Sequence, residues 1–214
     1  MAHSEWDKNR ELLAQGHITL CLPIEPVSLQ ASRRRKEVLI SEIRKITDNW
    51  NFLLVGDVQI DIEWLIHEQK RYESDSSADV DNIVKPILDA ISGPKGILVN
   101  DCQVQAISCR WIDWDSEEQQ ITVRIQMFSN DEWLLKQGLV FVHMGKGLCY
   151  PAIVEETGQE YTLMIIENLE QKLIIRENIM AKGASYYHAQ QIMSVQRIFH
   201  ISRVQEFHVI ELAE

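Results

Sequence analysis

The sequence contains no run of about 18 apolar residues, so a membrane-spanning helix is not expected. Its first residues interleave Glu5, Asp7, Lys8, Arg10 and Glu11 rather than setting basic before apolar, so they do not read as a secretory signal. A cytoplasmic location is the resulting expectation. Cysteine is scarce: Cys21, Cys102, Cys109 and Cys149 form no CxxC pair. That argues against a zinc site or a disulfide framework and predicts buried free thiols. No HxH or HxxxH spacing occurs among the seven histidines, which argues against a histidine metal centre. Basic charge is also short, with 21 Lys and Arg against 32 Asp and Glu for a net charge of −11. Phosphate binders are usually basic, because their cations release counterions condensed on the nucleic acid. Any nucleic-acid contact here must therefore run through a local patch, or through metal ions that neutralise carboxylates. The acidic excess is spread along the chain, and there is no internal repeat.

The apolar pattern is informative. His17 to Leu22 alternates and predicts a first strand, closed by Pro23 and Pro26. Ser32 to Ile46 carries Val38, Leu39, Ile40, Ile43 and Ile46 at helical spacing. Val58 to Ile66 alternates again and predicts a half-buried strand, followed by a polar loop from Glu68 to Ala78. Ile83 to Ile91 predicts a helix stopped by Ser92-Gly93-Pro94, with strands at Val104–Trp111 and Ile121–Met127. This order implies an α/β (α+β) layer with a mixed sheet. After Phe128–Asp131 the composition changes. Short strands are predicted at Val140–Met144, Cys149–Val154, Tyr161–Ile166, Lys172–Arg176 and Phe207–Leu212, with one helix at Ser185–Phe199. The expected organisation is a first domain over residues 1–130 and a small β-rich accessory domain over 131–214.

The chemistry is concentrated in Ala78-Asp79-Val80-Asp81-Asn82-Ile83-Val84-Lys85-Pro86-Ile87-Leu88-Asp89-Ala90-Ile91 and in Asn100-Asp101-Cys102-Gln103. Asp79 and Asp81 lie two apart, so an extended segment points both carboxylates the same way. Asn82 or Asp81 is placed to cap the following helix, with Pro86 near its first turn. Asp81, Lys85 and Asp89, at i, i+4 and i+8, share a helical face. Hard divalent cations take oxygen ligands of this kind beside a phosphate, and crowded carboxylates repel one another unless a cation joins them. A DxDN stretch also serves as a turn and helix cap, and Lys85 between two aspartates as a solvated ion-pair row; spacing alone leaves both readings open.

The series DxDNxxKxxxDA, a Gly-rich break and an apolar run ending in Asn-Asp-x-Gln resembles the signature of the RusA family of Holliday-junction resolvases. The likeness is specific over about 25 residues, compatible in layout over 17–127, and does not reach the C-terminal part. It implies a small mixed sheet with flanking helices and a homodimer acting on branched DNA as a metal-dependent endodeoxyribonuclease. It places catalytic roles on Asp79, Asp81, Lys85 and Asp101, with Asp79, Asp81 and Asp101 as ligands of magnesium or, in its place, manganese. Asp89 takes a supporting position, and Asn100 stands where the family has the first of two aspartates.

Arg33-Arg34-Arg35-Lys36 is the densest basic run, either a phosphate grip or a solvated helix start. Trp111 and Trp114 read as strand-edge packing rather than a base-stacking platform, and Gly145-Lys146-Gly147 as a hairpin turn, too short for a phosphate loop. The competing functional class is a protein- or nucleic-acid-interaction module that keeps a RusA-like fold with weak or no nuclease activity, with residues 131–214 as its working surface and a candidate protein contact.

Overall fold

The structure, a computed structural model, describes residues 5–74, 79–116, 118–154, 159–193 and 197–211. In chain order the elements are α1 (Glu5–Leu13), β1 (His17–Leu22), α2 (Arg33–Thr47), β2 (Phe52–Leu54), β3 (Val58–His67), α3 (Glu68–Glu73), α4 (Val80–Ile91), β4 (Val104–Trp114) and β5 (Gln120–Met127). They continue with β6 (Trp133–Leu135), β7 (Leu139–His143), β8 (Leu148–Ile153), α5 (Gln159–Ala181), α6 (Tyr186–Gln190), β9 (Phe199–His200) and β10 (Val209–Glu211). The fold is α+β, about 37% helix and 31% strand. The chain divides into two compact units, Met1–Trp133 and Leu134–Glu214.

The first unit is built on a mixed sheet of order β1-β5-β3-β4, in which only the β3–β4 pair is parallel. Alternation decides its two faces. Ile18, Leu20, Leu22, Ile60, Ile62, Ile121, Val123 and Ile125 are buried, while Thr19, Asp61, Glu63, Thr122 and Arg124 between them form the polar face. Across the polar face Arg110 pairs with Glu63 and the Ser108 hydroxyl donates to Asp61. Helix α2 buries Leu39, Ile43 and Thr47 at i, i+4 and i+8, and Arg44 and Lys45 in its last turn complement the helix dipole. Helix α4 buries Ile83, Ile87, Ala90 and Ile91, and Ile83 joins a cluster with Trp64 and Ile66.

Two local expectations are corrected here. The stretch after β3 is not all loop, since Glu68–Glu73 forms α3; residues 75–78 of the expected loop lie outside the described residues. Helix α4 begins at Val80 with Asp79 as its N-cap, not at Asp81 or Asn82, so Pro86 lies well inside it. A proline there has no N–H for the carbonyl of Asn82. The Leu29 N–H takes that carbonyl instead, at 2.8 Å, and Gln30 Nε2 donates to Asn82 Oδ1 at 3.1 Å. The loop before α2 thus supplies the bond that proline removes.

The second unit has a sheet of order β10-β7-β8-β9. The β7–β8 hairpin turns at Gly145-Lys146-Gly147, where Met144 and Leu148 close the turn by backbone hydrogen bonds. The strands expected at Tyr161–Ile166 and Lys172–Arg176 are instead one helix, α5, of 23 residues. Its Ile166, Leu169 and Leu173 pack on Val142, Met144 and Ala152. The difference has a physical origin. Leu163, Ile174 and Ile175 are exposed on α5, so apolar residues occur around the helix and blur its stripe. The expected helix at Ser185–Phe199 is shorter, α6 ending at Gln190; residues 194–196, and Leu212 of the expected last strand, lie outside the described residues.

All four cysteines are free, but buried thiols describe only part of them: Cys149 is buried and Cys109 half-buried, whereas Cys21 and Cys102 are exposed. Burial pushes the Cys109 and Cys149 thiols up to about 11, which keeps both protonated and unreactive near neutrality.

Candidate active site

Asp79 is exposed at the N-cap of α4, and exposed Asp81 occupies its first turn. The two carboxylates therefore sit on a cap and a turn, not along one extended segment. Lys85, one turn on, donates from Nζ to Asp101 Oδ2 at 2.8 Å and pairs with Asp89 a further turn along. Side-chain exposure falls from 55% for Asp89 and 49% for Lys85 to 24% for Asp101, so the lysine bridges a solvated aspartate and a partly enclosed one. Burial lowers the Lys85 pKa, but the hydrogen bonds to Asp101 and Asp89 and their charges outweigh it, and the net shift is upward. Lys85 is thus held as a cation at neutral pH.

Asp101 comes from a separate segment that is anchored with care. Gly96 lets the chain fold back on α4: a Cβ there would lie 2.2 Å from the Ile91 carbonyl oxygen, which accepts from the Ile97 and Leu98 N–H groups at 2.7 and 3.0 Å. The Leu54 N–H in β2 then donates to the Ile97 carbonyl at 2.8 Å. Asp101–Gln103 forms a 3-10 turn closed by a capping box: Cys102 N–H donates to Asn100 Oδ1 and Asn100 N–H donates to Gln103 Oε1, each at 3.1 Å. Gln103, only 3% exposed, directs Nε2 to the carbonyls of Leu54 at 3.0 Å and Gly56 at 2.7 Å. Asn100 therefore acts here as a cap, and Gln103 ties the Asp101 turn to β2. The sequence motif contains Gln103 but carries no sign of these bonds, which depend on a segment some fifty positions away.

Asp79 lines a separate cleft of about 340 Å³ together with Glu25, Arg35, Lys70, Asn82 and Gln119. The structure thus brings Lys85, Asp89 and Asp101 into direct contact and sets Asp79 and Asp81 at the head of the same helix. Among the described residues, no three His, Cys, Asp or Glu side chains are grouped as ligands of one metal ion. Trp111 packs on Trp64 with ring centroids 5.2 Å apart and carries the Arg71 guanidinium 4.4 Å from its own centroid, so it is a packing residue and not an open platform.

A four-stranded mixed sheet with α2 and α4 on its apolar face, and acidic side chains around one lysine, defines the class: an α+β domain with a lysine–aspartate cluster set on one helix and one turn. Residues 28–126 match the family model described as Endodeoxyribonuclease RusA, a stretch that contains every residue just placed except Glu25. The match lies wholly within the first unit and supports reading that unit as a RusA-type domain; the family it matches comprises nucleases that act on branched DNA. Comparison with curated proteins finds no match.

Proposed function

We propose that the first unit is a divalent-metal-dependent endonuclease that nicks branched DNA, in the manner of a Holliday-junction resolvase, with Asp79, Asp81, Lys85 and Asp101 as its catalytic residues. The observation that carries the reading is the Lys85–Asp101 contact at 2.8 Å, made between two separate segments within the family match. The donor set fits a hard cation in chemistry, since Asp79, Asp81 and Asp101 all offer carboxylate oxygens. These three would hold magnesium or manganese, which when bound supplies Lewis acidity toward the phosphate and toward water. Lys85 directs a permanent positive charge at the developing charge on phosphate oxygen, and its raised pKa suits it to that task rather than to taking a proton. Asp89 also pairs with the ammonium, from the next turn of α4.

A homodimer, one site per copy, matches a substrate with paired strands to cut. Residues 131–214 act in this reading as an accessory domain that contacts a protein partner. A second reading, a RusA-like module that binds without cutting, is favoured by one observation: no three-carboxylate group is assembled among the described residues. One experiment separates the two readings, a nicking assay on a synthetic four-way junction and on linear duplex, with and without magnesium. Magnesium-dependent nicking of the junction alone supports the resolvase; retention of the junction without nicking in magnesium or manganese supports the binding module.

A further inference from the structure

The cleft beside Asp79 has a construction of its own. Trp64 Nε1 donates to Gln119 Oε1 at 2.9 Å, and Gln119 Nε2 donates to Glu25 Oε1 at 2.8 Å. Gln119 is 9% exposed and Trp64 2%, so this chain of bonds rises from the core and ends at a carboxylate on the cleft wall. Glu25 in turn accepts from Lys70 Nζ at 2.9 Å and lies 4.0 Å from the Arg35 guanidinium. The Lys70 hydrogen bond, acting against burial, holds the Glu25 carboxyl below its ordinary range, so the group is ionised at neutral pH. A buried amide thus orients the carboxylate, which binds Lys70 of α3 directly and faces Arg35 of α2 at longer range.

Those cations have bonding capacity left over. An ammonium has three protons and a guanidinium five, and among the described residues Lys70 uses one on Glu25 while Arg35 makes only the long contact with the same group. Arg35 differs from its neighbours in the basic run, since Arg33 pairs with Glu37 on α2 and only Arg35 of the four lines the cleft. Arg35 and Lys70 balance Glu25 and Asp79, so the cleft is neutral by count and becomes positive once Asp79 shares a divalent cation.

We infer that this cleft is a second phosphate subsite, in which Lys70 and Arg35 grip a backbone phosphate of the DNA strand attacked at the neighbouring acidic residues. The inference rests on the endonuclease reading and adds the path of the strand: across the loop before α2 and past α3. Glu25 and Gln119 are positioning residues that aim the two cations. The subsite also gives an acidic chain with few basic residues a local grip on DNA, through two cations gathered at a carboxylate that a buried amide orients.

The test is equilibrium binding of a fluorescent four-way DNA junction, in calcium to suppress cutting, across a range of salt concentrations. Lys70→Met and Arg35→Met should each weaken binding by about tenfold and reduce the slope of log K against log salt by about one, as expected when one cation no longer neutralises a phosphate. Arg34→Met, outside the cleft, should leave the slope unchanged. Lys70→Gln repeats the measurement with a polar side chain, and thermal melting confirms that each variant is folded. If wild type binds and nicks junctions while the Lys70 and Arg35 variants keep its slope, the cleft is not a phosphate subsite although the endonuclease reading stands. An Arg34→Met slope that falls as far as the others also overturns the subsite, because the contact is then a diffuse patch. Wild type that neither binds nor nicks overturns the endonuclease reading itself.

Discussion

Gln103→Met removes the polar clamp beneath Asp101 while nearly preserving volume, so packing changes little. Three hydrogen bonds disappear, from Asn100 N–H and to the carbonyls of Leu54 and Gly56, at a site only 3% exposed. Each bond contributes about 1 kcal/mol net, and buried groups left without partners cost about 1–3 kcal/mol each. The expected destabilisation is therefore at least about 3 kcal/mol, which for a chain of this size lowers Tm by roughly 10 °C. The catalytic consequence is separate. With the capping box broken, Asp101 no longer has a fixed approach to Lys85, and misplacement by about 1 Å costs on the order of 10²-fold in rate. Calorimetry gives the first effect; single-turnover nicking well below the melting transition gives the second. Gln103→Glu checks the cause, because it keeps the shape but turns a carboxylate toward two carbonyl oxygens and should be at least as damaging. A Gln103→Met protein that melts within about 2 °C of wild type, well short of the expected shift, and nicks at the same rate refutes the argument that this amide positions Asp101.

Asp79→Asn, Asp81→Asn and Asp101→Asn should each abolish metal-dependent nicking with far-UV circular dichroism unchanged; near-wild-type nicking by any one removes that residue from the site. Lys85→Ala should lower turnover by about 10²-fold, with binding of the junction retained. Because the folded Lys85 pKa is raised, its link to Asp101 and Asp89 is fully present below the unfolded lysine value of about 10.4 and is lost as pH rises through the folded value. The rate profile should accordingly show no Lys85 limb between about pH 7 and 9. Glu25 has the opposite sign: its lowered pKa gives stability that is present above the unfolded carboxyl value and lost as pH falls through the folded one, so Glu25→Gln should melt with a weaker dependence on acid pH. A chain ending at Asn130 lacks buried Trp133, which packs edge-on against Phe52, and should be less stable than one ending at Lys136, with melting temperature as the readout.

Elements whose apolar residues follow one period are legible in the amino-acid sequence. The alternation of β3 and the i, i+4 spacing of α2 are direct records of which side meets the core. Helix α5 is not legible in this way, because its buried Ile166, Leu169 and Leu173 share the segment with exposed Leu163, Ile174 and Ile175, and paired isoleucines imitate a strand. The start of α4 escapes local reading for a different reason. Proline is normally confined to the first helical turn, and only the distant Leu29 N–H, bonded to the Asn82 carbonyl, makes a deeper proline acceptable. Local rules fail where a tertiary partner supplies what they assume is missing.

The same distinction governs the site. Asp79, Asp81, Lys85 and Asp101 can be named from a motif because each is read by residue type and spacing, and the structure does place Lys85 against Asp101 across sixteen positions. What fixes those groups has no local signature. Gln103 holds the Asp101 turn through carbonyls of β2 and the loop after it, and Glu25 is aimed by Gln119, ninety-four positions away, whose amide oxygen also accepts from buried Trp64. In each case a neutral amide with little exposure carries the order of a charged group at the surface. A glutamine in a strand or turn looks like solvated filler in sequence, whereas one that is buried must have all its polar atoms satisfied. Where its partners include the backbone beside a site carboxylate, or a charged side chain itself, that requirement holds the charged group in place. Substituting these amides, rather than the aspartates alone, therefore separates a site that is held in position from a set of acids that merely share a helix.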